Sequence, residues 1–385
     1  MSSPSPPGAA PPLSHMPQLD GLRACAVLIV ILAHCGPAIQ NDFLLGLPLD
    51  YAAIQVFFTL SAFLITRILL RCRSHMEKGQ SLGATLKAFY ARRTLRIFPL
   101  YYGFLLVGIL TNYGNGRELA PWLLTYTYNI YGSITGNWGY HYGHFWTLSV
   151  EEQFYLLWPL AVLVPPRRLL PWLCGALIAG AAAFRLAMVL LEVPYFPSFF
   201  GLPITNMDAL GFGALLAVWR EVRQPLFREL EGKRWIFGAL GALALFLLLW
   251  GGSRGHIALL GESSYLILGG TFWGMTGLWL IHRLSQGVGG PAGWFLQARP
   301  MVYLGRISYG IYVYHFLVPF LLGPVYIGFF VDELKWPWHL YEAMLTLTCL
   351  GFSVAAASLS WHFFEGPLNS LKRYFPYRVT TPPRP

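Results

Sequence analysis

Ten mostly apolar stretches recur along the chain, at about 19–39, 51–70, 98–112, 145–164, 169–190, 204–219, 235–251, 263–282, 303–322 and 340–363. A helix needs roughly twenty such residues to cross the hydrocarbon core of a bilayer. The third and sixth stretches are short for a span. The chain has little polarity elsewhere to clothe a soluble surface. Of 385 residues, 55% are hydrophobic and 11% charged, whereas a soluble domain carries about 25% charged residues. This excludes a soluble globular enzyme and a disordered chain. The expected fold is all-α: a polytopic membrane protein with about ten transmembrane helices.

The net charge of +10 would suggest nucleic acid in a soluble protein, but here its distribution follows topology. Twenty-two of the 27 basic residues fall in alternate connections and the C-terminal tail, and the other connections hold only Arg117, Arg254 and Lys335. Arg23 and Arg185 fall within apolar stretches. Basic loops stay in the cytoplasm, so both termini are expected inside and no nucleic-acid partner is expected. Residues 1–18, rich in Pro, Ser and Gly, read as a disordered cytosolic tail. Residues 19–370 read as one transmembrane domain and 371–385 as a second cytosolic tail. No signal-peptide pattern is present, and the expected location is a bacterial inner membrane. The five cysteines, Cys25, Cys35, Cys72, Cys174 and Cys349, are scattered and suggest no disulfide framework.

Ionisable residues inside a membrane are costly and mark functional candidates. The first stretch holds Arg23 and His34, eleven residues apart. That spacing puts both on one helix face, separated by ~16 Å. Asp20 is placed to pair with Arg23. The fourth stretch carries adjacent carboxylates, Glu151 and Glu152, within Trp146-Thr147-Leu148-Ser149-Val150-Glu151-Glu152-Gln153-Phe154-Tyr155. Counting from the outer ends places His34 and the two glutamates at similar depth. A carboxylate beside His34 would set its tautomer and raise its basicity. At the cytoplasmic start of the third stretch, Arg93 and Arg96 share a helix face, with Arg92 adjacent. Guanidinium forks suit a phosphate-bearing ligand, although positive-inside anchoring explains them equally well.

Ser308, Tyr312 and His315 form a stripe in the ninth stretch that reads first as helix–helix hydrogen bonding. Asp208 either braces a partner helix or reaches an outer cavity. The 112–144 connection, crowded with Tyr, Trp, Asn and Gly, reads as a long outer loop. His141 and His144 lack a third ligand nearby, so no metal is expected.

These residues resemble the membrane acyltransferase-3 family. Leu19-Asp20-Gly21-Leu22-Arg23 followed by His34 resembles its first-helix Arg-x10-His signature. Phe57-Phe58-Thr59-Leu60-Ser61-Ala62-Phe63-Leu64-Ile65 is similar to its second-helix pattern, with Ala62 where Gly is usual. Arg93 and Arg96 resemble its third-helix pair, and the stretch 146–155 its most specific segment. Leu304-Gly305-Arg306-Ile307-Ser308-Tyr309 and Trp361-His362-Phe363-Phe364-Glu365-Gly366-Pro367-Leu368 resemble late segments. Asp208 matches a family position, but Asn206 replaces an Arg often found two residues before it, which puts a pairing made in relatives in doubt. The resemblance covers about residues 17–370.

The resemblance implies transfer of an acyl group, commonly acetyl, from acyl-CoA as co-substrate to a hydroxyl of a sugar or glycan. It also implies that the extra SGNH hydrolase-like domain of some relatives is absent from this chain. On this reading His34 is a general base or a covalent acyl carrier. Glu151 or Glu152 orients it, and Arg23 positions the donor or supports the helix. Arg92, Arg93 and Arg96 meet the donor phosphates, while Asp208, Tyr309 and Trp146 are candidate substrate contacts. The rival is a transporter of acylated sugars or lipid-linked glycans, using the same charges as substrate contacts. A scaffold has no need for His34 or paired buried carboxylates. Acceptor, acyl length and oligomeric state are left open.

Overall fold

The computed structural model describes residues 15–35, 49–139, 141–193, 200–222 and 261–377. The expected span 235–251 and most of both tails lie outside these residues. Among the described residues there is no strand. The main helices are α1 (Pro17–Cys35), α2 (Leu49–Met76), α3 (Leu82–Thr111), α4 (Gly116–Leu124), α5 (Tyr128–Thr135), α6 (Phe145–Leu163), α7 (Leu170–Leu190), α8 (Met207–Val222), α9 (Gly261–Ser285), α10 (Gly290–Gln297), α11 (Arg299–Tyr314) and α12 (Trp338–Ser360).

Among the described residues, five helical segments are long and apolar enough to cross a membrane, or six if the pair Arg299–Leu321 and Gly323–Glu333, bent by 43°, is one span. Many large apolar side chains on the outer faces are exposed, among them Leu110, Leu157, Trp172, Leu190 and Phe363. A soluble monomer rarely shows so much apolar surface; against lipid tails it needs no cover.

Without a hydrophobic drive between helices in lipid, close backbone approach and polar contacts hold such a bundle together. α2 packs against α8 and α9, and α1 against α11. A side chain at Gly21 would strike the Leu296 carbonyl, one at Gly305 the Asp20 carbonyl, and one at Gly213 the Thr59 carbonyl. Three buried polar links add specificity. Arg185 on α7 donates to Asp208 at 2.5 Å, Thr271 on α9 donates to the same oxygen at 2.7 Å, and Trp158 donates to Thr66 at 2.8 Å.

Three expectations are corrected. The third stretch is not a short span beginning near residue 98, since α3 begins at Leu82 with Ser81 accepting from the Ala84 amide at 3.2 Å. Arg92, Arg93 and Arg96 interrupt the apolar pattern, yet they sit inside this helix. The 112–144 connection is largely helical, and its Tyr126, Tyr128 and Tyr142 are buried. Gln153 of α6 anchors it by accepting from and donating to Asn129, at 3.1 and 3.0 Å. The ninth stretch breaks at His315 and Phe316, after which a short helix runs over Leu317–Leu321.

Arg67, Arg73 and Arg167 meet their acceptors at one end of the bundle. Arg167 forks onto Glu77 at 2.9 and 3.0 Å, Arg67 reaches Glu221 at 3.1 Å, and Arg73 donates to the Val162 carbonyl at 2.6 Å.

Candidate active site: a histidine cluster and a charged layer

α1 carries one polar group near each end. Toward its start, Asp20 accepts from Arg23 at 3.3 Å and contacts His15 at 2.7 Å. Next to its last residue, His34 is half-buried, and its Nδ1 lies 2.9 Å from Nε2 of His315. His315 in turn places its own Nδ1 2.6 Å from the Tyr312 carbonyl. Tyr312 lies in the last turn of α11, where carbonyls lack helical partners. A carbonyl only accepts, so the neutral His315 ring carries its proton on Nδ1. Its Nε2 is then an acceptor, and His34 donates through Nδ1. The relay leaves the His34 Nε2 lone pair free of the relay.

His144, just before α6, completes the cluster. Its ring meets His315 edge-on at 5.0 Å, and Phe316 stacks on His34 at 4.8 Å. Tyr312 donates to the His144 carbonyl and contacts the Thr147 hydroxyl, both at 2.7 Å. The carboxylate whose charge acts on His34 is Asp50, at the start of α2.

Glu151 and Glu152 lie seven and eight residues beyond His144, about 10–12 Å deeper along α6. There a charged layer forms. The Ser61 and Tyr155 hydroxyls lie beside Glu151, and the charges of Arg93 and Arg23 act on it. Glu152 feels Glu151 and Arg93, and its Oε1 is buried with no hydrogen-bond partner among the described residues. Arg93 lies over the Tyr155 ring, 5.5 Å from its centre. Arg96 donates to the Arg306 carbonyl at 2.9 Å, lies 4.8 Å over Trp361, and is within electrostatic reach of Glu365.

At the basic end, a cavity of about 370 Å³ is lined by Pro17, Gln297, Arg299, Val302, Tyr303 and Arg306. Neither of its guanidinium groups has a carboxylate partner among the described residues.

The sequence matches a family described as an acyltransferase domain over residues 16–358. The chain belongs to this acyltransferase family. It is 28% identical to the peptidoglycan O-acetyltransferase OatA of Listeria monocytogenes over 94% of this chain and 57% of that protein. It is also 28% identical to the putative peptidoglycan O-acetyltransferase YrhL of Bacillus subtilis, over 92% of this chain and 55% of the relative. A putative O-acetyltransferase of Staphylococcus aureus is 25% identical over 93% and 58%. The chain thus spans somewhat more than half the length of these relatives. No solved structure matches it.

Within this acyltransferase domain the structure redistributes the expected site residues. Arg23, Arg93, Glu151 and Glu152 come together, and Arg96 joins them. His34 does not pair with either glutamate. His34 instead shares the level of His144 through His315, whose ring touches both.

Arg92 is engaged elsewhere: it donates to the carbonyls of Lys372 and Phe375 at 2.8 and 3.2 Å and lies 4.6 Å over the Tyr377 ring. Burial raises the Tyr377 phenol above its usual range against the pull of Arg93 and Arg92, so this ring stays neutral.

Asp208 is fully buried, with Oδ2 taken by Arg185 and Thr271 and Oδ1 by the Ala209 amide. It therefore braces helices and presents no free oxygen to a substrate. The pairing put in doubt by Asn206 is made instead by Arg185 from α7, while Asn206 accepts from Gln55 at 2.8 Å. Tyr309 donates to the Ile97 carbonyl at 2.9 Å, and half-buried Trp146 meets Phe58 and Trp138 edge-on.

In the sequence His315 reads first as a helix–helix hydrogen-bonding residue, and Asp50 and Glu365 carry no assigned role. His315 was visible as a polar stripe, and Glu365 stood in a quoted segment. Asp50 had no signal beyond its place beside the second apolar stretch.

Proposed function

We propose that this chain is an integral membrane O-acyltransferase that moves an acetyl group from acetyl-CoA to a hydroxyl of a cell-wall glycan. The observation that carries the reading is the relay His34–His315–Tyr312, which commits Nδ1 of His34 and frees Nε2 for a hydroxyl proton. The relatives' names support both the acetyl group and the glycan. The family match favours a transferase over the transporter reading.

In the proposed reaction, His34 Nε2 takes the proton of the acceptor hydroxyl as its oxygen attacks the thioester carbonyl. The tetrahedral intermediate collapses, the ester forms, and the CoA thiolate leaves with the proton from His34. Asp50 stabilises the imidazolium formed on the way. Donor phosphates dock at the basic end, where Arg299 and Arg306 line the cavity, and the pantetheine arm passes the charged layer. Arg93 and Arg23 hold the donor there, and the unpartnered oxygen of Glu152 accepts a hydrogen bond from it. Arg92 is left as a staple between α3 and the C-terminal segment.

The proposal includes ten spans, both termini in the cytoplasm, and residence in a bacterial inner membrane. The collection of basic side chains at one bundle end supports that sidedness. Purified protein given labelled acetyl-CoA and a glycan acceptor tests the function. Label is expected in the acceptor with release of free CoA, and absence of acceptor-dependent CoA release contradicts the reading.

A further inference from the structure

The scattered cysteines conceal a contact. Cys35, the last residue of α1, and Cys349, in α12, are 314 positions apart, yet their Sγ atoms lie 2.7 Å from each other. Sulfur atoms that are not bonded do not normally come so close. The surrounding hydrogen bonds hold both cysteines in place. Thr346, three residues before Cys349, donates to the Cys35 carbonyl at 2.5 Å. In its thiol form Cys349 also donates to the His315 carbonyl at 3.2 Å, which seats it before the bond forms. Cys25, Cys72 and Cys174 take no part in this contact.

We propose that Cys35 and Cys349 form a disulfide that fastens the His34 end of α1 to α12. Their end of α1 is opposite the basic end of the bundle. By the positive-inside rule that end faces outward, where disulfides persist.

The bond forms by exchange with an external low-molecular-weight or protein disulfide. One protein thiolate attacks that disulfide and releases one thiol. The second protein thiolate then displaces the remaining thiol. Both cysteines are oxidised, the external disulfide is reduced to two thiols, and the two protein protons pass to those thiols. The bond would hold the backbones next to His34 and His315 in register. It does not depend on the acyl-transfer reading.

The test counts thiols in the full chain. Membranes are treated with oxidised glutathione, then unfolded without reductant in excess N-ethylmaleimide so that buried thiols are labelled too, and the protein is weighed intact. The chain has five cysteines, of which three are expected to carry the label, with peptides containing Cys35 and Cys349 recovered as one cross-linked species. Reduction before blocking should raise the count to five. Five labels without reduction, or glutathione attached separately to either cysteine, overturns the proposal. A Cys25→Ser variant should carry two labels without reduction; four would overturn the assignment of the pair. Reductant should lower the Tm of the wild type and leave that of a Cys35→Ala/Cys349→Ala variant unchanged. An equal fall in both would also count against the bond.

Discussion

The histidine cluster and the charged layer are both polar islands in an apolar bundle, but they are built differently. The cluster is a chain of single, directional contacts: a carbonyl fixes His315, and His315 fixes His34. Such a relay poises one lone pair. The charged layer is a crowd in which Arg23, Arg93 and Arg96 face Glu151, Glu152 and Glu365. Several charges of both signs can hold an ionic or polar ligand without any one of them being set for proton transfer. On the proposed function, chemistry falls to the cluster and donor binding to the charged layer, so variants in the two should separate in kcat and KM.

The largest expected effect is that of His34→Ala, a fall in kcat of about 10²–10⁴-fold, the usual contribution of a general base. Arg185→Ala should come next, through stability. It strands Asp208 as a buried charge, at a cost of about 3–5 kcal/mol, read as a lower Tm in detergent. His315→Ala removes the partner that sets the His34 tautomer and should lower kcat by roughly 10²-fold, the low end of acid–base contributions, with donor KM unchanged. A rise in donor KM instead would merge the two regions.

Arg93→Ala should do the reverse. Loss of a charge-assisted contact of about 1.5–3 kcal/mol raises donor KM by roughly tenfold or more, with a smaller change in kcat. Arg92→Ala is expected to leave donor KM unaltered, since its hydrogen bonds go to the Lys372 and Phe375 carbonyls. A raised KM there would extend the donor site to the C-terminal segment.

What was legible in the sequence was what repeats locally. Apolar runs placed the helices. Polar exceptions inside them, Arg23, His34, Glu151 and Glu152, pointed to both islands. The α3 arginines misled because a helix that buries guanidinium groups against carbonyls and rings loses its apolar signature. Long-range partners carried no local signal. His34 meets His315 across 281 positions and Asp208 meets Arg185 from another helix.

The most direct test of the central claim is a paired measurement on His34→Ala: binding of acetyl-CoA, and the rate of acetyl transfer to a glycan hydroxyl in a single turnover. The account predicts donor binding like that of the wild type with transfer reduced at least about 10²-fold. Transfer at the wild-type rate, or loss of donor binding with an undiminished rate at saturation, would contradict it.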